Sequence, residues 1–292
     1  MLLDKLKSIL KEAPPGMAFE ISEAGVAAVR IGARTEMEFA PLPPGVLSIS
    51  PLKENVIDED AFADAVRRVA TASQSGRKAK DVAVILPDFC TRIAVLDFDG
   101  FPTDAKEQDA LIRFRLKRAV PFDVESAALS YYAQTSSQKH IDVVVVVASL
   151  EIVSRYEAPF RAVVMNPGLI TTSSLAALDM APEAGLSVLA KLTGRVLTVL
   201  VRDKATLKLV RCLEMPSNEF EDIAAVLAPT LVFVEDNFGR RAEHLQVCGF
   251  QAGARIEEEL GMPAEELRSP LGVPGENNAG LLGYLRSISR NN

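Results

Sequence analysis

One order of strand-like and helix-like segments occurs twice in this chain, and that repetition constrains the fold more than any single motif. In the first half, Met17–Ser22 and residues 25–32 read as strands joined by a tight turn at Glu23-Ala24, with a third strand over 35–42. Alternating apolar residues with polar punctuation at the turns carry that reading. Residues 58–73 then place Ala61, Phe62, Ala65, Val66, Val69 and Ala70 at helical spacing before a stop at Gly76. The run DVAVIL over 81–86 is apolar throughout, as in a strand buried on both faces. The second half repeats the order: strands at 187–192 and 195–201 around Thr193-Gly194, a strand at 206–213, a helix near 219–227 and a strand at 230–235. Two βββαβ units in one chain predict an α/β fold with mixed sheets, two lobes and a cleft between them.

Extra material separates the two units. It reads as a strand over 91–98, a capped helix over 103–119 that stops before Pro121, and two strands at 127–134 and Ile141–Ala148. Ser149 opens a further helix to about residue 159, and Asn166-Pro167-Gly168 reads as a turn. The domain plan is therefore an amphipathic segment at 1–15, a first lobe at 16–180 with an αβ subdomain inserted at about 80–155, and a second lobe at 181–292 with a closing helix.

Composition removes several classes of function. A formal charge of −7 makes nucleic acid a poor electrostatic partner. Cys90, Cys212 and Cys248 are odd in number and share no CxxC spacing, so they read as reduced core residues, with no metal site. His140 and His244 lack ligand spacing, and no Gly-x-Ser-x-Gly, His-Glu-x-x-His or Walker A run exists. No apolar stretch is long enough to span a bilayer. The N-terminus puts Leu2, Leu3, Leu6, Ile9 and Leu10 on one helical face, which suits a membrane surface or a partner, or a short helix packed on its own domain. Arg113, Arg115, Lys117 and Arg118 cluster in the insert, where a solvated helix face is favoured over a lipid-facing one.

Several stretches carry a family resemblance. AFEISEAGVAAVRIG, DVAVILPDFCTRIAVLDFDGFP and RFRLKRAVPFDVESAALSYY resemble the PilM family of type IV pilus assembly proteins, relatives of FtsA within the actin-like ATPase superfamily. Val120-Pro121-Phe122, Asp123, Glu125 and Tyr131 look like the family's Pro-Phe signature, and CGFQAGARIEEELGMPAEELRSPLG and AGLLGYLR like its glycine-rich turn and closing helix. The resemblance implies an actin-like, ribonuclease H-like fold. It also marks departures. Glu20-Ile21-Ser22 and Leu192-Thr193-Gly194 stand where Asp-x-Gly hairpins would hold phosphate and Mg²⁺, and Cys248-Gly249-Phe250 stands at the adenosine-side turn. Glu20, Ser22, Gly194 and Gly249 are thus the residual nucleotide-cleft positions. Only about thirty residues, 216–243, fill the interval where the family carries a further subdomain, implying a shortened second lobe.

From the resemblance we expect a non-catalytic cytoplasmic scaffold at the inner membrane, with ATP and Mg²⁺ doubtful as cofactors. The partner implied is the N-terminal tail of a PilN-like membrane protein, with other pilus platform or motor components and self-association as further contacts. Phe89, Ile93, Val95 and Phe98 are candidates for that tail's groove, or else fill the subdomain core. The rival expectations are a working actin-like ATPase and a scaffold of a GspL-like type II secretion system.

Overall fold

The structure, a computed structural model of the chain, describes residues 14–31, 35–52, 54–70, 80–135, 141–251 and 254–290. The N-terminal amphipathic segment through Lys11, the turn carrying His140 and the helix stop at Gly76 lie outside the described residues. In chain order the elements are β1 (Met17–Ser22), β2 (Gly25–Arg30), β3 (Glu36–Pro41), α1 (Glu59–Ala70), β4 (Lys80–Leu86), β5 (Arg92–Phe98), α2 (Ala105–Leu116), β6 (Ala128–Thr135), β7 (Ile141–Ala148), α3 (Leu150–Ala162), β8 (Met165–Thr172) and α4 (Ser173–Ala177). They continue as β9 (Leu186–Thr193), β10 (Val196–Asp203), β11 (Thr206–Glu214), α5 (Phe220–Phe238), β12 (His244–Cys248), α6 (Ala254–Leu260), β13 (Ala264–Glu266) and α7 (Ala279–Ser289).

The predicted duplication is present as two sheets of one topology. The first lobe runs β3-β2-β1-β4-β8 and the second β11-β10-β9-β12-β13. In each, the first three strands form an antiparallel meander and the last two join in parallel. The central strands β1 and β9 are buried almost end to end, because helices or the other lobe cover both faces. On the first sheet, α1 and α3 close one face through Phe62, Val66, Tyr156 and Phe160. The ring of Phe160 meets that of Phe19 edge-on at 4.9 Å.

The inserted subdomain is a three-stranded sheet, β5-β7-β6. Its valine-rich β7 sorts by parity. Val143, Val145 and Val147 face Ile112 and Leu116 of α2, whereas Val144 and Val146 join Leu189, Leu200 and Leu207 of the second lobe. Gln134 fixes that contact through two bonds of 2.9 Å with the backbone of Leu207.

Three expectations change. The run over 230–235 is not a strand but the second half of α5, whose buried Ile223, Leu227, Thr230 and Val234 follow helical spacing. Asn166-Pro167-Gly168 is not a turn; it lies inside β8, where a register shift opposite Val82 and Ala83 accommodates proline. The closing helix α7, placed with the second lobe by chain position, packs on the first-lobe sheet against Ala18, Ala27 and Ile85.

Helix α7 crosses α4 closely because Gly283 has no side chain: a Cβ there would fall on the Ala176 carbonyl. Backbone cannot swing aside as a side chain can, so overpacking is costly here. Gly283→Ala is expected to lower stability by about 1–3 kcal/mol in urea unfolding. Gly100→Ala, whose Cβ would meet nothing within 4 Å, serves as the near-neutral control.

Candidate functional site

The two β-hairpin turns face each other across a cleft of about 320 Å³ between the lobes. Glu20, Ser22 and Gly194 line it, and Gly249 abuts it through Glu276. The predicted positions therefore do converge. Sequence reasoning did not single out Asp88, Lys191, Ser173 and Glu276, which line the same space.

The floor of the cleft is a buried polar junction. Glu20 is 1% exposed, and its two carboxylate oxygens accept from the Leu281 amide at 2.9 Å and from the Ser173 hydroxyl. The first bond places the carboxylate at the N-terminus of α7, where free amides and the helix dipole favour an anion. The extra methylene of glutamate gives Glu20 the reach to cap this helix. Asp88, just past β4, accepts from the amide and hydroxyl of Ser174 and from the Thr198 hydroxyl at 3.2 Å. Lys191, in mid-β9, has no exposed side-chain surface; its Nζ lies 3.9 Å from Asp88 and donates to the Thr193 hydroxyl. Groups from both lobes and both crossing helices thus satisfy one another.

At the first hairpin, the Ser22 hydroxyl donates to the Gly25 carbonyl at 3.2 Å, and Glu23 accepts from the Ile49 amide at 3.1 Å. At the second, the Gly194 amide donates to Glu276 at 3.2 Å. Five carboxyl groups, Glu20, Glu23, Asp88, Glu214 and Glu276, line the cleft against the two cations Lys191 and Arg195. Among the described residues, no group of three or more His, Cys, Asp or Glu is placed to hold a metal ion. Burial pushes the thiols of Cys212 and Cys248 up to about 12 and about 11, and that of Cys90 higher still, as expected for inert core cysteines.

The candidate partner residues do not share a surface. Phe89 lies in the cleft under the Arg92 guanidinium, 5.4 Å from its ring centroid. Ile93 and Val95 are packed against the second lobe, and Phe98 is in the core of the insert. Phe98 is thus covered by the chain itself, whereas Ile93 and Val95 are half-buried. A wider groove, about 900 Å³, runs instead between α1 and α3 beside Ser126 of the insert. Ala63, Ala158 and Pro159 lie along it, Leu150 stands 55% exposed, and Glu59, Asp60 and Glu151 rim it. Among the described residues its one cation, Arg155, is paired with Glu54 and Glu59. The basic cluster is partly consumed: Arg113 bonds Asp109 at 2.7 Å, and Arg115 lies over Phe98 and 3.6 Å from Asp97.

Burial is the main influence on Glu20 and raises its carboxyl above the ordinary 4.5, against the opposing pull of Lys191, Ser173 and the α7 amides. The folded protein then holds this proton more tightly than the unfolded chain does. Its contribution to stability is complete below about pH 4.5 and is lost as pH rises through the native value. The stability of Glu20→Gln relative to the unsubstituted protein should therefore increase as pH rises from 4.5 toward neutrality, read by urea unfolding at several pH values. Parallel curves would contradict the assignment.

The sequence matches no protein-family model and no curated protein. Solved structures do match. A chain of a PilM–PilN type IV pilus biogenesis complex superposes with a TM-score of 0.76 at 14% identity, covering 95% of this chain and 99% of that one. The cytoplasmic domain of EpsL, an inner-membrane component of the type II secretion system of Vibrio cholerae, gives 0.52 at 14% identity, with 94% of each chain covered. A Bacteroides thetaiotaomicron protein of unknown function gives 0.54 at 11% identity over 95% of this chain and 97% of that one, and is described as having an actin-like ATPase fold. With its duplicated sheets, interlobe cleft and near full-length superpositions, the chain is a protein of the actin-like fold.

Proposed function

We propose that this chain is a non-catalytic scaffold of a type IV pilus assembly platform, holding the cytoplasmic tail of a PilN-like membrane protein in the groove between α1 and α3. The observation that carries this reading is the likeness, over 95% of the chain, to a chain of a PilM–PilN complex. The groove supports it chemically. Its apolar floor and acidic rim suit an extended segment that alternates apolar anchors with Lys or Arg, the side chains burying surface while cations meet Glu59, Asp60 and Glu151. The location proposed is cytoplasmic, at the inner membrane through that partner; among the described residues no helix is long and apolar enough to cross a membrane.

The cleft supports the non-catalytic half of the reading. Among the described residues its carboxyl groups outnumber its cations, so a polyphosphate entering it meets net repulsion, and the Gly194 amide of the second hairpin is engaged with Glu276. The cofactor proposed is therefore none.

The EpsL likeness favours a second reading, a scaffold of a type II secretion system that holds a different membrane tail. A fluorescence-anisotropy titration with labelled tail peptides from pilus and secretion membrane proteins separates the two. The pilus tail is expected to bind, and Ala158→Trp, which fills the groove, to weaken it at least about tenfold, or 1.4 kcal/mol. Capture of a secretion tail alone would favour the second reading. Binding indifferent to Ala158→Trp would remove the tail from this groove.

A further inference from the structure

The 273–278 loop brings a carboxylate onto the second hairpin. The Gly194 amide donates to one Glu276 oxygen at 3.2 Å, and the Thr193 hydroxyl reaches the Glu276 carbonyl at 3.4 Å. Behind Thr193, buried Lys191 donates to the same hydroxyl, so positive charge stands directly beneath the turn. The Glu276 methylenes rest on Gly249: a Cβ there would collide with the Leu192 carbonyl and come within 3.2 Å of Glu276 Cγ. Gly249 also has φ +82°, so no other residue fits easily beneath the loop.

The loop is held where it is. The Asn278 side chain accepts from the Gly275 amide at 2.7 Å and donates to the Val273 carbonyl at 3.1 Å. The next residue, Ala279, begins α7, so the loop is tied to the helix that Glu20 caps.

An amide aimed at a carboxylate, with a buried lysine behind the turn, makes a receptor for an oxyanion. We propose that Glu276 is a tethered oxyanion ligand supplied by the chain itself, and that the turn at Gly194 takes a free phosphate only once this carboxylate is removed. Being covalently attached, the carboxylate acts at high effective concentration, so a free anion of similar chemistry competes poorly. It also adds negative charge that repels a second anion. This proposal rests on the reading of the cleft as non-catalytic; the groove lies elsewhere, so tail capture should be unchanged by Glu276→Ala, and either idea can fail without the other.

The test is titration of the full chain with inorganic phosphate, followed through backbone amide resonances. In the unsubstituted protein the Gly194 amide should stay in place. In Glu276→Ala it should move saturably, with phosphate bound at least about tenfold more tightly, and Glu276→Gln, which keeps a neutral acceptor, should gain less. Glu23→Ala removes the same charge from the cleft without touching the Gly194 amide, and should gain little. Movement of Gly194 in the unsubstituted protein, no gain in Glu276→Ala, or an equal gain in Glu23→Ala would each overturn the proposal.

Discussion

Lys191 sits in mid-strand with no solvent on its side chain, and the two lobes are organised around what satisfies it. An ammonium group taken from water costs several kcal/mol unless charges and acceptors replace its hydration. Asp88 and Thr193 supply that replacement, one from the first lobe and one from the second. Asp88 in turn is held by Ser174 of α4 and Thr198 of β10. Removing any one partner strands a buried charge, the situation in which single substitutions cost most. The relative placement of the lobes is thus specified by polar groups at the cleft floor, with apolar burial supplying the bulk of stability on either side.

That arrangement bears on function through competition for the same donors. A cleft between actin-like lobes can hold a polyphosphate only if its hairpin amides and cations are free to turn toward it. Here Glu20 caps α7, Lys191 faces Asp88 and Thr193, and Gly194 faces Glu276. In the reading we propose, the cleft has become a structural joint, and the binding surface lies on the outer face of the first lobe, between α1 and α3. The joint would keep that lobe and the inserted subdomain in one fixed geometry for a partner.

Much of this architecture was legible in the residues. Met17–Ser22 and Ile141–Ala148 carried their strands plainly, because an apolar run bounded by turn residues admits few alternatives. Residues 230–235 misled because LVFV has strand-like composition, whereas the α5 periodicity shows only across the whole helix. Pro167-Gly168 hid β8, since a bulge is set by the neighbouring strand and leaves no local signature. At the site, Glu20, Ser22, Gly194 and Gly249 could be found by likeness to a nucleotide cleft. Lys191 had a signal of its own, a lone cation inside the apolar strand LSVLAKLT. Glu276 had none, because its importance comes from a loop folded over a hairpin more than eighty residues earlier in the chain.

The most direct measurement is calorimetric titration of the unsubstituted chain with ATP and Mg²⁺. A cleft whose Lys191 and Gly194 amide are already engaged should give no saturable heat. Saturable binding tighter than about 1 mM, or −4.1 kcal/mol, would mean that these groups let go of one another for a nucleotide, and the reading of the cleft as a structural joint without a cofactor would be contradicted.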